Sequence, residues 1–246
     1  YSFVIFENVA VGYAVGTVVA SSMDLNTNIT YLITTGDQKG MFAINKITGQ
    51  ITTANIIDRE EQGFYQLQVV ASGGPVTADT LVNITVKDLN DNSPRFLHAV
   101  ESVNVVENWK AGHPVFHAKA MDPDEGVNGQ ILYSLKQNPK GLFSINDRNG
   151  SVSLTGLLDI NAVTYQVEIL ASDMGVPQHS SSFILTVSVH DVNDNTPVFD
   201  QLSYEVTILE SESVNSRFFK VQASDKDSGV NGEIAYSILS GNAGDA

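Results

Sequence analysis

A stretch of acidic and amide residues occurs twice in this chain, each time directly after an alternating apolar run. The copies are DLNDNSPRF at residues 88–96 and DVNDNTPVF at residues 191–199, and they lie 103 positions apart. Other segments recur in register: FAINKITG at 42–49 matches FSINDRNG at 143–150, and DPDEGVNGQI at 122–131 matches DKDSGVNGEI at 225–234. Self-similarity at a fixed period predicts a tandem array of one structural unit of about one hundred residues.

Apolar and polar side chains alternate with a period of two within each unit. This alternation is typical of half-buried antiparallel strands, and no long stretch carries a 3.6-residue helical period. About seven short strands per hundred residues favour a β-sandwich of immunoglobulin-like shape. The clearest runs place on one face Tyr65, Leu67 and Val69; Val82, Ile84 and Val86; Tyr165, Val167 and Ile169; and Phe183, Leu185 and Val187.

The repeat period predicts three domains, at residues 1–91, 92–194 and 195–246. We expect the last of these to supply only the N-terminal strands of a third unit, because so short a segment cannot close a sandwich alone. Tyr1 opens directly into a strand-like run with no signal peptide. We therefore expect any targeting segment to lie outside this chain.

The acidic balance of the chain limits its partners. It carries 28 acidic and 13 basic residues, a formal net charge of −15, which argues against nucleic-acid binding and favours cations. It contains no cysteine, which excludes disulfides, thiolate metal sites and cysteine nucleophiles. It also has no apolar run long enough for a transmembrane helix.

Many of the acidic residues gather where the predicted units end. If the units are arranged end to end, eight carboxylates meet at the first junction: Glu7, Asp58, Glu60, Asp88, Asp91, Asp122, Asp124 and Asp173. Two such charges about 5 Å apart repel by roughly 3 kcal/mol at an effective dielectric constant near 20. A cluster of this kind needs cations, and Ca²⁺ accepts many oxygen ligands in loose geometry, unlike Mg²⁺ or Zn²⁺.

The repeated DPDEGVNG segment is not an EF-hand loop. Its glycine falls at the fifth position of the loop, and the twelfth position is Tyr133 in one copy and Tyr236 in the other. An EF-hand requires glycine at the sixth position, a bidentate glutamate at the twelfth, and flanking helices.

The motifs DLNDNSPRF, DVNDNTPVF, DPDEGVNG, DKDSGVNG, IIDRE and ASDMG resemble the calcium-binding signatures of tandem extracellular cadherin repeats. The resemblance covers nearly the whole chain, with the motifs in the correct order. It implies an all-β fold of tandem seven-stranded Greek-key sandwiches arranged end to end. It also implies joints that each bind up to three Ca²⁺ and bend without it.

The resemblance assigns a complete ligand set to the first joint. The eight carboxylates are joined by the side chain of Asn90 and by backbone oxygens of Leu89, Asn92 and Asn128. Three Ca²⁺ against eight carboxylates would leave a formal charge near −2.

The second joint departs from this pattern at one position. Asp159-Ile160-Asn161 stands where the first unit has Asp58-Arg59-Glu60, so a glutamate that the resemblance assigns to two ions is replaced by an amide. We therefore expect fewer or more weakly bound calcium ions at this joint. The remaining candidate ligands are Glu107, Asp159, Asp191, Val192, Asn193, Asp194, Asn195, Asp225, Asp227 and Asn231, with Glu210 as the matching glutamate of the third unit.

The upper end of the first unit is also altered. Asp24 and Asn26 occupy the place of an Asp-x-Asp pair, and Gly73 occupies the place that Asp173 has in the second unit. Either this is an outermost repeat, or it follows a joint that holds little calcium.

The leading functional hypothesis is a calcium-dependent cell–cell adhesion or recognition ectodomain fragment at the extracellular face of the plasma membrane. Its expected partners are cadherin ectodomains, bound homophilically or heterophilically. One alternative is a structural spacer whose binding surface lies in other repeats. Another is a calcium-dependent enzyme, although the chain has no GxSxG, HExxH or glycine-rich phosphate loop. Three sequons, at Asn28, Asn83 and Asn149, are candidate glycosylation sites.

Overall fold

The structure is a computed structural model that describes residues 1–23, 27–97, 101–159 and 164–241. Asp24, Asn26, Ile160 and Asn161, which the sequence singles out, lie outside these ranges. Within them the regular structure is β-strand, apart from 3₁₀ helices at Pro139–Gly141 and Gly229–Gly232. The strands are β1 (Ser2–Phe6), β2 (Ala14–Thr17), β3 (Ile29–Thr35), β4 (Phe42–Ile44), β5 (Gln50–Thr53), β6 (Phe64–Gly73), β7 (Val76–Lys87), β8 (Arg95–Phe96), β9 (Glu101–Val106), β10 (Pro114–His117), β11 (Ala120–Met121), β12 (Leu132–Gln137), β13 (Phe143–Ile145), β14 (Ser151–Leu154), β15 (Thr164–Ser172), β16 (Ser180–His190), β17 (Val198–Phe199) and β18 (Ala223–Ser224).

The first seven strands form a β-sandwich. One sheet has the order β1-β7-β6-β3 and the other has the order β2-β5-β4. Their inner faces share one hydrophobic core, which includes Ile51, Leu67 and Val82, each 0% exposed. Phe42 of β4 and Tyr65 of β6 meet edge to face with ring centroids 5.0 Å apart, a favoured aromatic geometry that joins the two sheets.

The next strands repeat this arrangement. One sheet has the order β12-β15-β16-β9 and a second has the order β10-β14-β13, while β8 pairs with β11. The ring pair of Phe143 and Tyr165, with centroids 6.0 Å apart, matches Phe42 and Tyr65. The predicted all-β fold of tandem sandwiches is therefore confirmed.

One strand near the start of each sandwich runs parallel to its neighbour. β1 pairs with β7 in parallel, and β9 pairs with β16 in parallel. The period-two pattern predicted antiparallel strands. That expectation was incomplete, because alternation places side chains on two faces whichever way the neighbouring strand runs.

Asn149-Gly150 is a dipeptide typical of two-residue hairpin turns, so the sequence predicts a tight hairpin there. The hairpin exists, but its loop is longer than two residues. β13 ends at Ile145 and β14 begins at Ser151, so five residues connect them. Gly150 has a φ of +71° and lies against the backbone of Ala118, where a side chain would collide. Glycine is required there both by the backbone conformation and by this close approach.

The segment that follows the second sandwich forms only one short strand pair, β17 with β18. No hydrophobic side chain among the described residues 195–241 is buried. None of the helical segments that the structure describes has the length and hydrophobicity needed to cross a membrane.

Contacts divide the chain into two compact units, each drawing on several segments. One contains Tyr1–Leu97, Ala120–Leu132 and Ala171–Ser181, and the other contains His98–Lys119, Tyr133–Leu170 and Ser182–Ala246. All predicted ligands of the first joint therefore belong to one unit, and those of the second joint belong to the other. The predicted boundaries between repeats stay a prediction.

Candidate metal centres

The first acidic cluster consists of Glu7, Glu60, Asp88, Asp91, Asp122, Asp124 and Asp173. Several of these residues come directly after a strand: Glu7 follows β1, Asp88 follows β7, Asp122 follows β11 and Asp173 follows β15. A strand that ends at an acidic residue places its carboxylate in a loop, where the backbone is free of the sheet ladder. The fold therefore collects these oxygens where strands end.

Five of the carboxylates form two overlapping groups. One oxygen from each of Glu7, Glu60 and Asp88 lies within 4.8 Å of the others, and the same holds for Glu60, Asp91 and Asp124. Glu60 belongs to both groups. In the described part of the chain, these are the two groups of three carboxylates with this spacing, and both lie in the first acidic cluster. This spacing allows two adjacent cations to share one carboxylate.

The crowding of negative charge changes the proton affinity of the cluster. Partial burial, and then the negative charge of Glu7, raise the pKa of Glu60 to about 7. Burial also raises the pKa of Asp122, with further contributions from the charges of Asp124, Asp173 and Asp88. Such shifts mean that the ionised forms need positive charge nearby.

Glu7 is held by backbone groups. Its side chain is 0% exposed. Its Oε2 accepts a hydrogen bond from the N–H of Arg59 at 2.9 Å, and its Oε1 accepts one from Leu89 at 2.8 Å. These bonds fix the carboxylate between the segment of Glu60 and the linker that begins at Asp88.

The linker and the loops of the second repeat are also tied together. Asn128 Nδ2 donates to Asp88 Oδ2 at 2.7 Å, and Asn92 Nδ2 donates to Asp124 Oδ1 at 2.7 Å. Asn90 Nδ2 donates to Asp173 Oδ2 at 3.0 Å. Segments from both repeats therefore converge within one compact unit.

Two buried oxygens in this cluster have no hydrogen-bond partner among the described residues. They are Asn90 Oδ1 and Asp122 Oδ2. Buried oxygens are nearly always satisfied, so each calls for a donor or a cation. An amide oxygen and a carboxylate oxygen are both ligands that Ca²⁺ prefers. The residues present therefore fit a hard divalent cation.

Three predicted ligands of the first joint make other contacts. Asp58 is exposed, and its Oδ1 accepts a hydrogen bond from the N–H of Glu61 at 3.1 Å, outside the two groups. The carbonyl of Leu89 accepts a hydrogen bond from the N–H of Asp91 at 2.9 Å. The carbonyl of Asn92 lies 2.7 Å from Nδ1 of His179.

The second acidic cluster consists of Glu107, Asp191, Asp194, Asp225 and Asp227, with Asn195 and Asn231. It repeats the hydrogen bonds of the first cluster. Asn231 Nδ2 donates to Asp191 Oδ2 at 2.8 Å, and Asn195 Nδ2 donates to Asp227 Oδ1 at 2.5 Å. The N–H of Asp227 donates to Asp225 Oδ1 at 2.9 Å, as that of Asp124 does to Asp122 Oδ1 at 3.0 Å.

The second cluster is looser in one respect. The N–H of Val192 donates to Glu107 Oε1 at 3.4 Å, whereas the matching bond from Leu89 to Glu7 measures 2.8 Å. The glutamate of this cluster is therefore held less closely by its linker.

Three further predicted ligands of the second joint are exposed. Asp159 pairs with Lys140 at 3.5 Å, and Asn193 and Glu210 are also exposed. The position of Asn161, on which the predicted weakness of this joint depends, lies outside the described residues.

Sequence reasoning missed several residues of the clusters. Asn8 Nδ2 donates to Asp91 Oδ2, and Asn108 Nδ2 approaches Asp194 Oδ2 at 3.4 Å. The signal was available, because each asparagine follows the repeated glutamate of its unit. Arg59 was also missed, although it stands between two predicted ligands in sequence.

The predicted glycosylation sites differ in exposure. Asn28 and Asn149 are exposed, while Asn83 is half-buried and its Oδ1 accepts a hydrogen bond from Gln66 Nε2 at 3.1 Å. Asn149 Oδ1 accepts a hydrogen bond from the N–H of Ser151 at 2.9 Å. Modification at these sites stays a prediction.

The fold and the clusters together define a class of protein: repeated β-sandwiches with acidic clusters at the strand ends and linkers. The family model described as Cadherin domain matches residues 1–87 and 101–190. The chain belongs to the cadherin family.

Known proteins similar to this chain support the assignment. Protocadherin Fat 4 of Homo sapiens is 79% identical over the whole chain, and Protein dachsous of Drosophila melanogaster is 38% identical over 97% of it. The crystal structure of human CDH23 EC21-23 matches with a TM-score of 0.85 and 25% identity, covering 98% of this chain and 88% of that one. The chain spans only 5% and 7% of the length of the first two relatives.

Proposed function

We propose that this chain is part of a cadherin ectodomain that binds Ca²⁺ at its joints and acts in calcium-dependent cell–cell adhesion or recognition. The observation that carries this proposal is that two groups of three closely spaced carboxylates have Glu60 in common. The two unsatisfied buried oxygens of Asn90 and Asp122 support it independently. The relatives support an extracellular location at the plasma membrane and cadherin ectodomains as partners, homophilic or heterophilic.

The first acidic cluster supplies the ligands with the strongest geometric support. These are Glu7, Glu60, Asp88, Asn90, Asp91, Asp122 and Asp124. Asp58, Asp173 and the carbonyls of Leu89, Asn92 and Asn128 complete the proposed set. Bound Ca²⁺ would supply the positive charge that offsets the repulsion of these carboxylates. Since the ligands come from both repeats, their common coordination would hold the linker rigid.

We expect calcium to bind the second joint more weakly than the first, because one shared carboxylate is absent there. Replacing Asn161 by Glu restores that charge and should tighten calcium binding at the second joint by about 100-fold. Isothermal titration of the calcium-free chain with CaCl₂ measures the calcium affinities of the two joints as two binding phases.

The control for this experiment is Gln50→Glu, which adds the same charge on the exposed surface of β5. It should leave both phases within about twofold of the wild type. Equal affinities at the two joints, or an equal response to both substitutions, would show that Asn161 does not weaken the second joint.

The alternative function is a structural spacer whose binding surface lies in other repeats. It is favoured by the fact that most of each relative lies outside the region that this chain matches. Sedimentation of the chain in calcium and in chelator, alone and mixed with candidate ectodomains, separates the two functions. Self-association or mixed complexes that disappear with chelator support adhesion. A monomer under every condition contradicts direct adhesion by these repeats and favours the spacer.

A further inference from the structure

Arg59 lies among Glu7, Glu60 and Asp88, which are the three carboxylates of the first group. Its Nε is 2.5 Å from Asp88 Oδ1 and 4.0 Å from Glu7 Oε1, and its Nη2 pairs with Glu60 Oε1. The guanidinium therefore contacts all three carboxylates that form the first group.

The same side chain reaches the loop of the second repeat. Arg59 Nη2 donates to the backbone carbonyl of Pro123 at 2.9 Å, between Asp122 and Asp124 in sequence. Its side chain is 16% exposed. The guanidinium therefore neutralises acidic groups and joins the two sides of the cluster, as a bound metal ion would.

Arg59 stays charged in this position. Arginine cannot be neutralised in proteins, so it is a permanent positive charge at this place.

A guanidinium and a divalent cation that use the same oxygens oppose each other. Each repels the other, and each needs the lone pairs of Asp88 and Glu60. We propose that Arg59 is a built-in counter-cation that competes with calcium and sets the calcium affinity of the first joint. This inference rests on the proposed function. At the matching position of the second unit the sequence has Ile160, which carries no charge.

The test is Arg59→Met, which removes the charge and keeps an unbranched side chain beside Gly63. Titration with CaCl₂ uses the full chain carrying Asp191→Asn and Asp194→Asn, so that binding at the second joint does not contribute. Competition predicts about tenfold tighter calcium binding in Arg59→Met, the usual size of a coupling between two ligands. The same variant should unfold at a lower temperature in chelator, because its carboxylates have lost their counter-cation. Unchanged or weaker calcium binding would overturn the proposal.

Two further variants identify the cause. Arg148→Met removes the same charge from the exposed hairpin loop between β13 and β14, and it should leave the calcium affinity unchanged. Arg59→Lys keeps the charge and should stay within about threefold of the wild type, because the repulsion between the side chain and a divalent cation depends on that charge. An effect of Arg148→Met equal to that of Arg59→Met would assign the change to net charge and overturn the proposal. So would Arg59→Lys binding as tightly as Arg59→Met.

The titration separates this inference from the proposed function. If the chain with an intact Arg59 and an intact first joint binds no calcium, the proposed function fails. If it binds calcium and Arg59→Met has no effect, only the competition fails.

Discussion

Replacing Glu60 by Gln should weaken calcium binding at the first joint by about 100-fold, which corresponds to about 2.7 kcal/mol. The effect is large because Glu60 belongs to both carboxylate groups, so one substitution removes a charged ligand from two adjacent positions. Glutamine keeps the shape of the side chain but offers one neutral oxygen. Calcium titration of the chelated protein measures the loss.

The adjacent residue provides a matched control. Glu61 pairs with Lys39, and its side chain is 56% exposed, outside both groups. Glu61→Gln therefore makes the same change in charge one position away and should stay within about twofold of the wild type. Equal effects of the two substitutions would mean that calcium responds only to the overall charge of the region.

Replacing Asp173 by Ala should lower the free energy of unfolding of the second sandwich by about 3 kcal/mol, even in chelator. Asp173 is 0% exposed, and its carboxylate accepts hydrogen bonds from the N–H groups of Gly175 and His179 and from Asn90 Nδ2. The substitution leaves these donors without their acceptor. The substitution also removes the repulsion between Asp173 and Asp122. We expect this gain to be smaller than the loss of the hydrogen bonds, because each hydrogen bond to a charged group contributes about 1.5–3 kcal/mol.

Urea-induced unfolding followed by the fluorescence of Trp109, the one tryptophan of the chain, measures this change. Asp147→Ala in the exposed hairpin loop is the control and should alter the free energy of unfolding by less than about 0.5 kcal/mol. A loss for Asp173→Ala as small as that of the control would show that Asp173 is not a structural anchor of its loop.

The strands could be predicted from the sequence because burial follows a simple period. Val82, Ile84 and Val86 alternate with polar residues, and all three are buried in the core. The direction of pairing could not be predicted, since parallel β1 and β7 present the same alternation as an antiparallel pair. Loop length was also beyond the pattern, because Asn149-Gly150 fixes where the chain turns and not how many residues take part.

The sequence predicted which residues form the candidate site better than it predicted which side chains contact one another. The repeat register and the family resemblance identified Glu7, Glu60, Asp88 and Asp91, which the fold brings together. The side chain of Arg59 could not be placed from sequence, because its direction depends on carboxylates distant along the chain. For the same reason the exposed position of Asp58 was not anticipated.

The central claim is that calcium stabilises the chain through these joints, and the unfolding temperature tests it most directly. The wild-type chain should unfold at a temperature several degrees higher in millimolar calcium than in chelator. At a calcium concentration about 100 times the dissociation constant of a site, binding at that site adds about 2.7 kcal/mol to the free energy of unfolding. Identical unfolding temperatures in calcium and in chelator would contradict the claim.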